Sequence, residues 1–140
     1  MEWLYKGEEV PNEPPFAYGF IYKITYIDGS YYYGKKSFYE TISKPPLKGY
    51  KRKRVITREN KWRKYTGSND VELEIKSKEI LALANSKSHL SYLEYELLFK
   101  TKSMFDCDCH NKNIGGKFFE GNIDRRTGDW LKFFEKENND

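Results

Sequence analysis

Glu94 is a carboxylate in an apolar stripe. In Leu90-Ser-Tyr-Leu-Glu-Tyr-Glu-Leu-Leu-Phe99 it stands four residues after Leu90 and three before Leu97, on the face that a helix would turn toward a core. Carboxylates are seldom buried without compensation. A hard divalent cation supplies it, since Mg²⁺ commonly takes one protein carboxylate, several waters and phosphate oxygens. A buried ion pair with Lys23 or an arginine is the bland alternative. Glu96, about 200° further round the helix, is expected to face solvent.

Phosphate would also explain the charge distribution. Residues 35 to 64 hold twelve basic residues, Lys35, Lys36, Lys44, Lys48, Lys51, Arg52, Lys53, Arg54, Arg58, Lys61, Arg63 and Lys64, against Glu40 and Glu59. That segment is therefore +10 in a chain whose total is +4, leaving −6 for the rest. With Tyr39, Tyr50, Trp62 and Tyr65 interleaved, the block has the footprint of a surface that neutralises a nucleic-acid backbone. A solvated basic loop would look similar.

The elements that must position these groups follow from pattern. Residues 1–17 are acidic and carry Pro11, Pro14 and Pro15, so an extended arm is expected, with Trp3, Leu4 and Tyr5 available to dock it. From Phe20, FIYKITYI alternates as a strand, breaks at Asp28-Gly29 and resumes as SYYYG, a strong hairpin signal. Residues 37–67, broken by Pro45, Pro46 and Gly49, lack clear periodicity and read as a long functional connection. Ser68 or Asn69 is placed to cap a short helix over 70–77, and EILALA (Glu79 to Ala84) suits a buried strand. Asn85 or Ser86 opens the best helix, about 87–103, with Leu90, Leu93 and Leu97 as its stripe. Residues 107–117 read as loop or short strand ending at Gly115-Gly116, and Thr127 or Asp129 could cap a last helix carrying Trp130, Phe133 and Phe134.

These segments resemble the GIY-YIG nucleases. Phe20-Ile21-Tyr22-Lys23-Ile24, a turn, then Tyr31-Tyr32-Tyr33-Gly34-Lys35-Lys36 is similar to that family's double signature, with Tyr22 and Tyr32 at its two tyrosines. Phe20 stands where the first glycine is expected and Tyr33 where a small branched residue is usual. WRKYTGS (Trp62 to Ser68), the Leu90–Phe99 segment and HNKNIGGKF (His110 to Phe118) follow in the order and rough spacing of phage-encoded members, so the similarity spans about 18–118. It implies an α+β fold, a small three-stranded antiparallel sheet with flanking helices, and divalent-metal-dependent cleavage of DNA phosphodiesters.

The resemblance also implies roles. Glu94 would hold Mg²⁺ or Mn²⁺; Tyr22 would take a proton from the attacking water; Tyr32 would orient water or phosphate. A phenol near pKa 10 is a weak base at neutral pH, and Lys35 is close enough to assist. An arginine should meet the transition state's charge; where the family has it on a helix this chain has the basic connection, and Arg54 is the first choice, ahead of Arg52 and Arg63. Asn111 matches a late asparagine, able to hold the glutamate or a backbone turn. Lys36, Lys48, Lys51, Arg52, Lys53, Arg58, Lys61, Arg63 and Lys64 would contact nucleic acid. Because Tyr22 and Tyr32 must share a face, the hairpin is predicted to use a three-residue loop, Ile27-Asp28-Gly29, with Gly29 left-handed. A two-residue turn would set them on opposite faces.

The remaining composition excludes other classes. In 140 residues, 12 Tyr, 9 Phe and 3 Trp supply more buried area than a disordered chain has. No stretch of about 18 apolar residues and no signal-peptide pattern is present, so a cytoplasmic protein without a membrane partner is expected. Cys107 and Cys109 are too close to staple a secreted fold. With His110 and His89 they match zinc in inventory, but C-x-C-H crowds three ligands onto one short loop. The expected organisation is an arm (1–17), a nuclease core (18–118) and a C-terminal helical segment (119–140), acting on DNA without a small-molecule cofactor, as a possible homodimer. A catalytically inactive nucleic-acid-binding module of the same fold is the alternative.

Overall fold

The computed structural model describes residues 1–11, 13–67, 71–119 and 121. Its strands are β1 (Trp3–Tyr5), β2 (Glu8–Glu9), β3 (Gly19–Tyr26), β4 (Tyr31–Ser37), β5 (Tyr39–Lys44), β6 (Arg54–Glu59) and β7 (Ile75–Ala84). Helix α1 (Lys87–Lys100) follows, then β8 (Asn113–Ile114) and β9 (Phe118–Phe119). Among the described residues this is an α+β fold with one α-helix. None of the helices among the described residues is long and apolar enough to cross a membrane.

The main sheet has five strands in the order β2-β1-β7-β3-β4, not three. Its antiparallel part, β7-β3-β4, is the expected small sheet; the two extra strands come from the N-terminal segment. Trp3, Leu4 and Tyr5 pair in parallel with Lys78, Glu79 and Ile80, and β2 folds back on β1. The arm docks because Trp3 is a large apolar group with a polar handle. Its ring is buried among Phe20 and Tyr22, and its Nε1–H donates to the Trp62 carbonyl at 2.9 Å.

The β3–β4 hairpin takes the bulged register predicted for it. Ile24 pairs with Tyr32 and Tyr22 with Gly34, and Gly29 has φ +88°. The Tyr26 N–H donates to the Ser30 carbonyl at 2.8 Å, closing the loop Ile27-Asp28-Gly29. Phe20, Tyr22, Ile24 and Tyr26 consequently project from one face onto Trp3, Phe38, Trp62 and Ile80. The other face meets α1: Ile21 packs with Leu90, and Tyr33 with Leu98.

Three expectations are corrected. Of the helix expected over 70–77, the described residues 71–77 form none, because Ile75–Ser77 begin β7, whose pairing with β3 runs from Tyr26↔Ile75 to Gly19↔Ala84; residue 70 and the proposed caps Ser68 and Asn69 lie outside the described residues. The 37–67 connection is largely a second hairpin, β5–β6, closed by a 3-10 turn at Trp62–Lys64. Helix α1 ends at Lys100 rather than near 103, and its buried leucines are Leu90 and Leu98, with Leu93 and Leu97 half-buried. Its start is as expected: the Ser86 side chain accepts from the His89 N–H at 3.1 Å. Gly115 and Gly116, both at positive φ, turn β8 into β9. The helix expected near Thr127–Phe134 lies outside the described residues.

Candidate active site

Strand β4 is an edge strand, and the site lies along it. A cavity of about 400 Å³ is lined by Tyr22, Tyr32, Lys35, Glu94 and Asn111, together with Gly34. Five of the six residues expected to act together are therefore brought together. Tyr22 and Tyr32 come from the face packed on Trp3, their ring centroids 6.3 Å apart; Glu94 comes from α1 beyond the edge. Gly34 lets the two groups meet. A Cβ there would collide with the Tyr22 hydroxyl and its ring carbon, so the phenol reaches the cavity only across a glycine.

Glu94 is half-buried, and its carboxylate makes no hydrogen bond or ion pair among the described residues. The alternative partner, Lys23, instead lies over the Tyr31 ring, 4.7 Å from its centroid. Burial raises the Glu94 carboxyl above its ordinary range, with the Lys35 charge pulling the other way. Lys35 donates to Ser91 Oγ at 2.8 Å, which places its ammonium beside the helix. A half-buried, polar-lined carboxylate without a protein partner fits a divalent cation, with water or phosphate completing the shell. Glu96 points away and pairs with Lys100 at 2.7 Å.

Burial pushes the Tyr22 phenol well above its ordinary range. A side-chain hydrogen bond with Tyr65 and the nearby Tyr32 and Glu94 add to the effect. Tyr65 was given no role from the sequence, where it appeared only among basic residues and within the WRKYTGS segment. It is set by Lys78, a buried lysine whose Nζ donates to the Arg63 and Tyr65 carbonyls, both at 3.0 Å. Lys36 Nζ sits 4.6 Å from the Tyr65 ring centroid. Tyr95 and Lys112 also line the cavity and gave no signal beyond their neighbours' motifs.

Asn111 holds backbone rather than Glu94. Its Oδ1 accepts from the Tyr33 N–H at 2.9 Å and its Nδ2 donates to the Tyr33 carbonyl at 2.8 Å, so the amide imitates a neighbouring strand. The residue so fixed lies between Tyr32 and Gly34. Cys109 Sγ–H donates to the same Oδ1 at 3.1 Å, His110 Nε2 lies 2.7 Å from Ser30 Oγ, and His89 Nδ1 accepts from the Asn85 N–H. The zinc inventory is thus dispersed over separate structural bonds. Asp106, Cys107 and Asp108 do cluster, but Asp106 already accepts from the Tyr31 hydroxyl and the Asp108 N–H.

Arg54 is not brought to the cavity. It pairs with Lys44 at the far end of β5–β6, where its Nε donates to the Pro45 carbonyl at 3.3 Å. Lys48, Lys51, Arg52 and Lys53 form the exposed tip of that hairpin, and Lys61 and Lys64 are exposed near its base. Arg58 pairs with Glu40 at 2.9 Å. Arg63 stacks 4.4 Å over the Trp62 ring and donates to the Pro11 carbonyl.

The edge-strand cavity gathers two signature tyrosines, a helix glutamate and a late asparagine, the residues that the resemblance to GIY-YIG nucleases singled out. A family model described as "Putative endonuclease segE, GIY-YIG domain" matches residues 3–123, and the chain belongs to that family. Curated proteins and solved structures return no match. The family match starts at Trp3, so it includes the docked arm as well as the core.

Proposed function

We propose that this chain is a metal-dependent DNA endonuclease that cuts or nicks phosphodiesters in the β4-edge cavity, with Mg²⁺ or Mn²⁺ held by Glu94. The observation that carries the reading is the partnerless Glu94 carboxylate sharing a cavity with the Tyr22 and Tyr32 phenols and the Lys35 ammonium. The cation would supply charge for the leaving 3′ oxygen.

The chain's own groups do the rest. Tyr32 orients water or a phosphate oxygen. Tyr22, held protonated by burial and by Tyr65, accepts the water's proton at its hydroxyl oxygen as it passes its own to the Tyr65 hydroxyl oxygen, and Tyr65 releases its former hydroxyl proton to solvent. Lys35 faces the charge that builds on the phosphate, and Asn111 keeps Tyr33, and with it Tyr32 and Gly34, in register. Arg54, at the far end of its hairpin, serves as a phosphate contact rather than a group at the reacting phosphorus. Incubating wild type, Tyr22→Phe, Tyr32→Phe and Glu94→Gln with supercoiled plasmid and Mg²⁺ tests this. Cleavage lost in all three supports it; full cleavage by Glu94→Gln overturns it.

A further inference from the structure

The β5–β6 hairpin leaves the body as a free two-stranded ribbon. Its base is anchored by Phe38 against Trp62, ring centroids 4.9 Å apart, and by the Asn60 N–H donating to the Phe38 carbonyl at 2.9 Å. Beyond that base the described body covers neither face: Thr41, Ser43, Val55 and Thr57 are exposed on one side, and Lys44, Arg54 and Arg58 on the other. A lone two-stranded hairpin is marginal in water. This one has a single cross-strand apolar pair, Ile42–Ile56, beside the Arg58–Glu40 ion pair.

The two faces differ in chemistry. Register places Thr41 opposite Thr57 and Ser43 opposite Val55, so one face, beyond the Tyr39–Glu59 pair at its base, presents hydroxyls and methyls with no charge. The tip is ordered by the Tyr50 N–H donating to the Leu47 carbonyl at 2.9 Å, with Gly49 at φ +92°. It carries Lys48, Lys51, Arg52 and Lys53, and no acidic residue occurs from Thr41 to Arg58. Tyr50 projects there, 72% exposed.

Taking DNA as the substrate, as proposed above, we infer that this ribbon is a reading arm. It lies in the major groove of duplex DNA, with Thr41, Ser43, Val55 and Thr57 on base edges and the tip cations on flanking phosphates. Antiparallel strands are about 4.8 Å apart, and six paired residues span about 20 Å. The major groove, about 12 Å wide, admits a two-stranded ribbon, and hydroxyls and apolar groups there contact base edges and thymine methyls. Because β5 continues from β4, the arm sets which phosphodiester reaches the Tyr32–Glu94 cavity. It would supply site preference from within the nuclease domain itself.

The test separates binding from chemistry. Full-length Glu94→Gln protein, without metal, selects duplexes from a random library, and affinity for the selected duplexes is followed by fluorescence anisotropy against salt. Lys51→Ala/Arg52→Ala/Lys53→Ala in that background is expected to flatten the log–log salt slope by about 2 to 3. Val55→Ala/Thr57→Ala should keep the slope but lower the ratio of selected to random affinity about tenfold or more. All these positions are exposed, and an unchanged melting temperature confirms folding. Wild-type slope and selectivity in both variants, or tighter binding to single-stranded RNA than to duplex, overturns the arm; plasmid cleavage by wild type would still stand. Variants that change selection while wild type cuts nothing in Mg²⁺ or Mn²⁺ uphold the arm and overturn the nuclease reading.

Discussion

Tyr22 lies across Gly34, its partner in the β3–β4 register, with no room for a Cβ between them. This contact joins the sheet face that buries Tyr22 to the strand edge where Glu94 waits. Gly34→Ala is therefore expected to push the phenol off its position. It should cost about 1–3 kcal/mol through overpacking, together with a loss of cleavage larger than the stability change explains. Thermal melts beside plasmid assays check this; wild-type activity in Gly34→Ala would remove the need for the close approach.

Tyr22 should remain protonated far into alkali. Burial and Tyr65 both favour the neutral phenol over its ordinary pKa near 10. Phenolate absorbance of folded wild type and Tyr22→Phe is expected to agree at about pH 10.5, near the ordinary phenol value, because the tyrosines common to both contribute equally and Tyr22 adds nothing. An extra ionising phenol in wild type below that pH would contradict the burial argument.

Glu94 makes stability depend on pH in a definite direction. Its carboxyl is raised above the unfolded value of 4.5, so the native state holds the proton more tightly. In metal-free buffer, stability falls as pH rises from near the unfolded value through the raised native one, and the loss stays constant above it. Glu94→Gln, which cannot ionise, should match wild type near pH 4 and exceed it at pH 7. Adding Mg²⁺ should reverse the order at pH 7 by stabilising only wild type, by about 2.7 kcal/mol at a hundred times the dissociation constant. Melting curves of both proteins at the two pH values, with and without metal, decide it.

Asn111→Ala removes both bonds to the Tyr33 backbone and leaves a buried N–H and C=O without partners. A loss of about 2–4 kcal/mol follows from two such groups. Faster hydrogen exchange at the Tyr33 amide, ahead of global unfolding, would distinguish this clamp from a role in holding Glu94.

What the sequence made legible was local. The three-residue loop could be argued from the need for Tyr22 and Tyr32 to share a face, Ser86 from its place before an apolar stripe, and Glu94 from its intrusion into that stripe. The five-strand sheet was not, because β1 pairs in parallel with β7 more than seventy positions away and nothing in WLY announces its partner. The ribbon stayed hidden for a different reason: with both faces exposed, its strands carry no apolar–polar alternation. The helix expected over 70–77 rested on the capping residues Ser68 and Asn69, but its last residues, from Ile75, belong to β7, whose burial alternates as a strand's does. Tyr65 enters the site through a buried lysine's hold on its backbone, a tertiary relation that the WRKYTGS segment alone does not disclose.

The most direct measurement is the rate of supercoiled-plasmid cleavage by wild type and Glu94→Gln at saturating Mg²⁺, both shown to be folded. Removing a group worth about 3 kcal/mol or more to the transition state slows the reaction roughly a hundredfold or beyond. Expected is metal-dependent cleavage by wild type and a loss of that size in the variant. Cleavage by Glu94→Gln within about threefold of wild type would contradict a catalytic metal at Glu94.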